Sequence, residues 1–248
     1  MQRTASLKPF EGTNRVFIIE DAALLTTEAA NCLLKILEEP PAAVTFILLA
    51  ATEHVLLPTV VSRCQKVELY PLAAPVVERA LLDRGVEQGR AQVLARLSRG
   101  CLGWALTALA DERILEARSE RMEALVALAD EPLYERFAYA AQLANQFGRD
   151  RRSVREVLEL WLTWWRDLLL VKGDCADFVV NIDRKAELEG RAADYTLAGA
   201  AGFVRELEAA GERLERNANA RLALEVLMLS IPPKGQRKEE REKAALRS

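Results

Sequence analysis

Histidine is nearly missing from this 248-residue chain, with His54 the single example. No Gly-x-Ser-x-Gly turn occurs either, so a Ser/His/Asp hydrolase lacks its components. Cys32, Cys64, Cys101 and Cys175 are scattered without a CxxC pair. That spacing argues against a metal site and for a reduced, cytoplasmic setting. Cys32 and Cys64 sit among apolar residues and read as small buried hydrophobes. No apolar run approaches the roughly 20 residues needed to cross a bilayer, so no membrane partner is expected. The N-terminus lacks a charged segment followed by an apolar one, so secretion is not expected. A net charge of −3 gives no global attraction to nucleic acid, so any DNA contact needs a local patch. Also missing is GxxxxGK[ST], the Gly-rich loop and lysine that grip nucleotide phosphates.

What is present starts with Arg15-Val16-Phe17-Ile18-Ile19, a continuous apolar run of the kind found in parallel strands covered on both faces. Thr26 or Thr27 caps a helix whose Ala30, Leu33, Leu34 and Leu37 share one face, and Pro40-Pro41 ends it. Val44 to Ala50 is a second strand, and Lys66 to Leu69 reads as a third, shorter one. Strands alternating with helices indicate an α/β layer over residues 1–70. After Pro71 the pattern turns helical to about Pro232. A first group, 71–111, is broken at Gly100-Cys101-Leu102-Gly103. A second, 112–231, carries longer helices separated near Gly148 and at Lys172-Gly173-Asp174. The tail, 232–248, is charged and has no apolar stripe, so it reads as solvated. The chain as a whole is α/β plus all-α and mostly helical.

Two places carry chemistry. Glu20-Asp21 ends the first strand, where paired carboxylates can hold Mg²⁺ and polarise a water. Without a phosphate loop, the plainer alternative is that the pair closes the strand and faces solvent. Arg63 follows the second strand, in Ser62-Arg63-Cys64. Its planar, permanently charged guanidinium suits a phosphate held by a neighbouring subunit. The alternative is a surface arginine with a local carboxylate partner. Trp161, Trp164 and Trp165, at i, i+3 and i+4, mark a buried helical face for core or subunit packing.

Three blocks carry a resemblance. The first is Ile18-Ile19-Glu20-Asp21-Ala22-Ala23-Leu24-Leu25-Thr26 with Leu33-Leu34-Lys35-Ile36-Leu37-Glu38-Glu39-Pro40-Pro41. The second is Leu57-Pro58-Thr59-Val60-Val61-Ser62-Arg63-Cys64, and the third Asn217-Ala218-Asn219-Ala220-Arg221-Leu222-Ala223-Leu224-Glu225. Together they resemble the AAA+ clamp-loader subunits of bacterial DNA polymerase III, among them most the delta prime type. The resemblance implies an incomplete AAA+ (RecA-like) parallel-sheet core over 1–70, a small helical lid over 71–111 and a helical collar over 112–231. It implies gamma/tau and delta subunits as partners, with ATP and Mg²⁺ bound by those partners and none held productively by this chain. Through the complex it implies contact with a sliding clamp and primer-template DNA, for which Lys8 or Lys35 are the nearest candidates.

Roles carried over from the resemblance are a trans-acting Arg63 flanked by Ser62 and Cys64, a degenerate acidic pair Glu20-Asp21, and collar contacts at Asn217, Asn219, Arg221 and Glu225. The family's hydrolysing members have Asp-Glu at the acidic pair, and an arginine where this chain has Gly103. Both departures fit a non-hydrolysing subunit of the polymerase holoenzyme, not catalytic on its own. The alternatives are a fragment of an ATP-hydrolysing gamma/tau-type subunit, or a pure scaffold of the same complex. The family also has a phosphate-loop segment upstream of the position matching Met1. The α/β layer is therefore expected to be incomplete and loose, with the helices from about Glu112 as the stable unit.

Overall fold

The structure is a computed structural model, and it describes residues 14–40, 43–50, 53–216 and 218–234. The chain divides into two compact units, Met1–Tyr70 and Pro71–Ser248. Lys8, Pro41, Asn217 and the tail beyond Lys234 lie outside the described residues.

In the first unit, β1 (Arg15–Ile19) and β2 (Val44–Leu48) pair in parallel, Arg15 opposite Val44 and Ile19 opposite Leu48. The connection between them is α1 (Thr27–Glu38), as a parallel pair requires. Thr26 caps α1 by accepting from the Ala29 amide at 3.2 Å. Ala30, Leu33 and Ile36 turn inward from this helix, and Leu33 joins Ile19 and Ala22 in a small apolar cluster. Coverage is one-sided, contrary to the reading of β1 as a strand sandwiched on both faces. Val16 and Ile18 are 53% and 60% exposed, because nothing among the described residues packs over that face. Cys32 is exposed and Cys64 half-buried, so neither is the buried hydrophobe expected from its neighbours. At 100° per residue, Cys32 falls off the Ala30–Leu33–Ile36 stripe.

A short helix, α2 (Pro58–Val61), opens on a proline whose missing amide costs nothing at that position. Lys66 to Leu69 is not a strand. The segment is exposed and pairs with no strand among the described residues, and Lys66 instead bridges Glu53 at 2.7 Å and Glu68 at 2.5 Å.

The second unit is entirely helical among its described residues. Helices α3 (Ala74–Leu82), α4 (Gln88–Leu97) and α5 (Leu102–Ala110) enclose one apolar cluster of Val77, Leu81, Ala91, Leu94, Ala95, Ala105 and Ala108. Ile114 and Leu115 pack on that cluster from the first turn of α6 (Arg113–Leu128), which therefore serves both helical groups. Gly100 makes the break before α5 possible. Its φ is +86°, and a Cβ there would lie 2.5 Å from the Leu72 carbonyl oxygen and 2.7 Å from Pro71 Cβ. Gly100→Ala combines a left-handed backbone with a clash against main chain. It is expected to destabilise this unit by about 2 kcal/mol or more. Urea unfolding followed through the tryptophans, all four of which lie in this unit, measures the loss.

The larger cluster is built by α6, α7 (Leu133–Phe147), α8 (Arg151–Lys172), α9 (Lys185–Ala192), α10 (Leu197–Glu215) and α11 (Ala220–Leu229). The 22-residue α8 runs through its middle, capped by Asp150 on the Ser153 amide. Trp161, Trp164 and Trp165 are buried here, as their spacing indicates. Trp161 and Trp165 meet Phe203 edge-on, at ring-centroid distances of 5.0 and 4.8 Å. The tryptophans thus form the core and are closed to nucleic-acid bases.

One polar knot sits inside this core. Fully buried Asp167 accepts from the amides of Val180 (3.0 Å) and Asn181 (2.8 Å) and from the Asn181 side chain (2.7 Å). Burial pushes its carboxyl above the ordinary range, and the three donors pull it partly back. Arg118 on α6 joins Asn181 and Asp183, while Arg184 joins Ser119, Glu123 and Glu187. These bonds tie the irregular stretch after α8 to α6, beside the anchoring of Val179 and Ile182 in the core.

Candidate functional site

Arg63 begins just past α2, where Arg63 N donates to the Val60 carbonyl at 3.1 Å. The side chain then crosses to the end of α1. Nε donates to Glu38 Oε1 at 2.8 Å and Nη2 lies 2.5 Å from the same oxygen. Nη1 donates to the Thr59 carbonyl at 2.9 Å and to Ser62 Oγ at 3.2 Å. Ser62 in turn donates to the Thr59 carbonyl at 3.2 Å. Ser62 therefore earns its place beside Arg63 as a brace. The Arg63 side chain is 35% exposed and that of Glu38 50% exposed, so the pair sits at the surface. The local carboxylate raised above as an alternative is present, and it is Glu38. Cys64 makes no comparable bond; partial burial raises its thiol pKa, which favours an inert thiol over a reactive one.

Glu20 and Asp21 lie at the exposed end of β1. Asp21 takes a left-handed conformation (φ 47°), which short polar side chains tolerate, and the chain turns there into a short 3₁₀ turn. No hydrogen bond or ion pair engages either carboxylate among the described residues. No trio of His, Cys, Asp or Glu side chains converges there in a metal-binding cluster, again among the described residues. Arg63 and this acidic pair therefore occupy separate places in the first unit, with no bond joining them.

Gly103, on the first turn of α5, faces open space, so nothing in the fold would resist an arginine there. The second unit has a cleft of about 820 Å³ lined by Arg99, Arg113, Arg118, Arg121, Glu156 and Glu159, among others. Its arginines are already matched to carboxylates: Arg99 to Glu159 (3.5 Å), Arg113 to Asp111 (2.8 Å), Arg118 to Asp183 (2.9 Å) and Arg121 to Glu156 (3.8 Å).

The described residues expected to make collar contacts have partners within their own helix. Asn219 caps α11 by accepting from the Leu222 amide at 3.1 Å, and Arg221 pairs with Glu225 at 2.8 Å one turn on. More telling is what lies beside them. Leu222, Val226 and Leu229 form a stripe at i, i+4 and i+7 on α11 and are 60%, 37% and 59% exposed. The opposite face, Ala223, Leu224, Leu227 and Met228, is buried in the core. A helix apolar on both faces buries one inside its own fold and offers the other. That second stripe was legible in the sequence from its spacing.

Comparison with known proteins returns one family model over the first unit and several relatives. The model for "DNA polymerase III, delta subunit" matches residues 1–73. The chain is 25% identical over 235 residues to DNA polymerase III subunit delta prime of Bacillus subtilis, covering 93% of this chain and 70% of that one. It is 46% identical over 99 residues to the delta prime subunit of Escherichia coli, covering 38% of this chain and 29% of that one. With the gamma/tau subunit of Mycobacterium bovis it shares 43% identity over 82 residues, 32% of this chain and 14% of that one. The chain therefore spans more than two thirds of its Bacillus relative, but under a third of the other two. Among the described residues no helix is long and apolar enough to cross a membrane. The chain is similar to the delta prime and gamma/tau subunits of bacterial DNA polymerase III.

Proposed function

We propose that the chain is a non-hydrolysing subunit of the bacterial replicative clamp loader, acting in the cytoplasm. It assembles with gamma/tau and delta subunits through its helical collar, and they bind the ATP and Mg²⁺. Its own contribution to the chemistry is Arg63, offered to a triphosphate in the adjacent gamma/tau subunit. The complex then places the sliding clamp on primer-template DNA. The observation carrying this reading is a chain-long similarity to delta prime, combined with an arginine braced at the surface. The Glu38 pairing favours the scaffold reading as well, since an arginine with a partner already in place is not obliged to serve another.

Reconstitution tests the proposal. The purified chain should hydrolyse no ATP. Added to gamma/tau and delta, it should be required for ATP-dependent loading of the clamp on primed DNA. Triphosphate hydrolysis by the chain unaided, or loading that proceeds equally well without it, overturns the assignment.

A further inference from the structure

Glu38 is placed where a helix does not favour it. It is the last residue of α1, followed by Glu39, and carboxylates at a helix C-terminus meet the negative end of the macrodipole. Something outside the helix must offset that, and the partner in contact is Arg63. The bonding is also specific. A guanidinium has five N–H donors. Nε donates to Glu38 Oε1, which also makes the ion pair to Nη2, and Nη1 donates to the Thr59 carbonyl and the Ser62 hydroxyl. Among the described residues Nη2 is engaged only in the ion pair with Glu38. A planar group held at both Nε and Nη1 has lost much of its rotational freedom, and its Nη2 corner points in one direction.

We propose that Glu38 is the positioning residue of the Arg63 finger: its carboxylate sets the guanidinium plane so that the Nη2 corner meets the partner subunit's phosphate. This rests on the trans-finger reading above. Glu38 touches no substrate. It acts through Arg63 by fixing geometry in advance, so that little ordering remains when the phosphate arrives. Its acceptor oxygen carries the effect, and its charge is secondary. Glu38→Gln, which keeps an oxygen at the same reach, should therefore differ from Glu38→Ala.

The test uses the assembled loader, with the other ATP sites silenced and the amount of complex checked by size-exclusion chromatography. Glu38→Ala should lower kcat at the site next to this chain by about 10- to 100-fold, with KM for ATP little changed. Glu38→Gln should recover most of that loss. In the double variant with Arg63→Ala, removing Glu38 should add nothing, because it acts only through the arginine. That cycle keeps the test decisive if Glu38→Ala also weakens assembly. If Glu38→Ala turns over normally while Arg63→Ala is slow, the positioning role falls and the finger stands. Faster turnover in Glu38→Ala would mean that Glu38 competes with the phosphate, which also overturns it. Equal losses in the Gln and Ala variants overturn the hydrogen-bonding argument. A silent Arg63→Ala removes the finger itself and this proposal with it.

Discussion

Arg63→Ala should slow ATP turnover at the adjacent gamma/tau site by about 10³-fold or more, in a loader that still assembles. The size follows from what the side chain would do. In phosphoryl transfer, charge builds on the equatorial oxygens of the transferred group, and a guanidinium held against them stabilises the transition state more than the ground state. The expectation that assembly survives follows from exposure. Arg63 and Glu38 are both partly solvated, and a surface ion pair of this kind contributes about 0–1 kcal/mol. Removing the arginine leaves Glu38 free to hydrate, and no void opens in the core. Arg63→Lys should restore little. An ammonium keeps the charge but cannot span Glu38, the Thr59 carbonyl and Ser62 in one plane. The measurement is single-site turnover in a complex whose other ATP sites are silenced, since intact sites would mask the loss. Turnover unchanged at that site would leave the chain as a scaffold.

How much of this could be read before any coordinates depended on whether a feature is local. The cap at Thr26, the stop before Pro40, the breaks near Gly148 and Gly173, and the buried tryptophan face each follow from residues within a few positions of one another. Each appears where the spacing places it. The misreadings share the opposite character. Lys66 to Leu69 has the composition of a strand, but a strand exists only through a partner, and none reaches it among the described residues. The continuous apolar run of β1 signals two covered faces, whereas the structure covers one. Burial of Cys32 was inferred from apolar neighbours in sequence, when helical geometry sets them on a different face.

The candidate site divides the same way. Arg63 stood out by residue type and by the block around it, but Glu38 did not, because 25 residues separate the two and only the return of β2 and α2 brings them together. In α11 the emphasis fell on Asn219, Arg221 and Glu225. Two of those three pair with each other and the third caps the helix. The apolar stripe beside them, Leu222, Val226 and Leu229, is what the fold leaves exposed.

That stripe sets the second large effect. Leu222→Glu with Leu229→Glu should abolish co-elution of the chain with gamma/tau and delta at concentrations where the unmodified chain assembles, weakening association by about 10³-fold. Burying a leucine fully contributes about 1.5–3 kcal/mol, so two lost anchors account for that factor before the cost of desolvating two carboxylates is counted. The fold itself should be indifferent. Both positions are more than half exposed, and α11 is held by Ala223, Leu224, Leu227 and Met228 on its other side. Thermal unfolding and circular dichroism of the isolated variant should therefore match the unmodified chain. This contrast sets assembly apart from folding, and an Arg63→Ala chain measured alongside sets assembly apart from catalysis. Association is lost in the first variant with any hydrolysis lost only as a consequence, whereas in the second it is kept while hydrolysis is lost directly. Co-elution of the double glutamate variant at unchanged concentration would place the collar contacts on some other face, and would leave three apolar side chains on α11 standing in water without a reason.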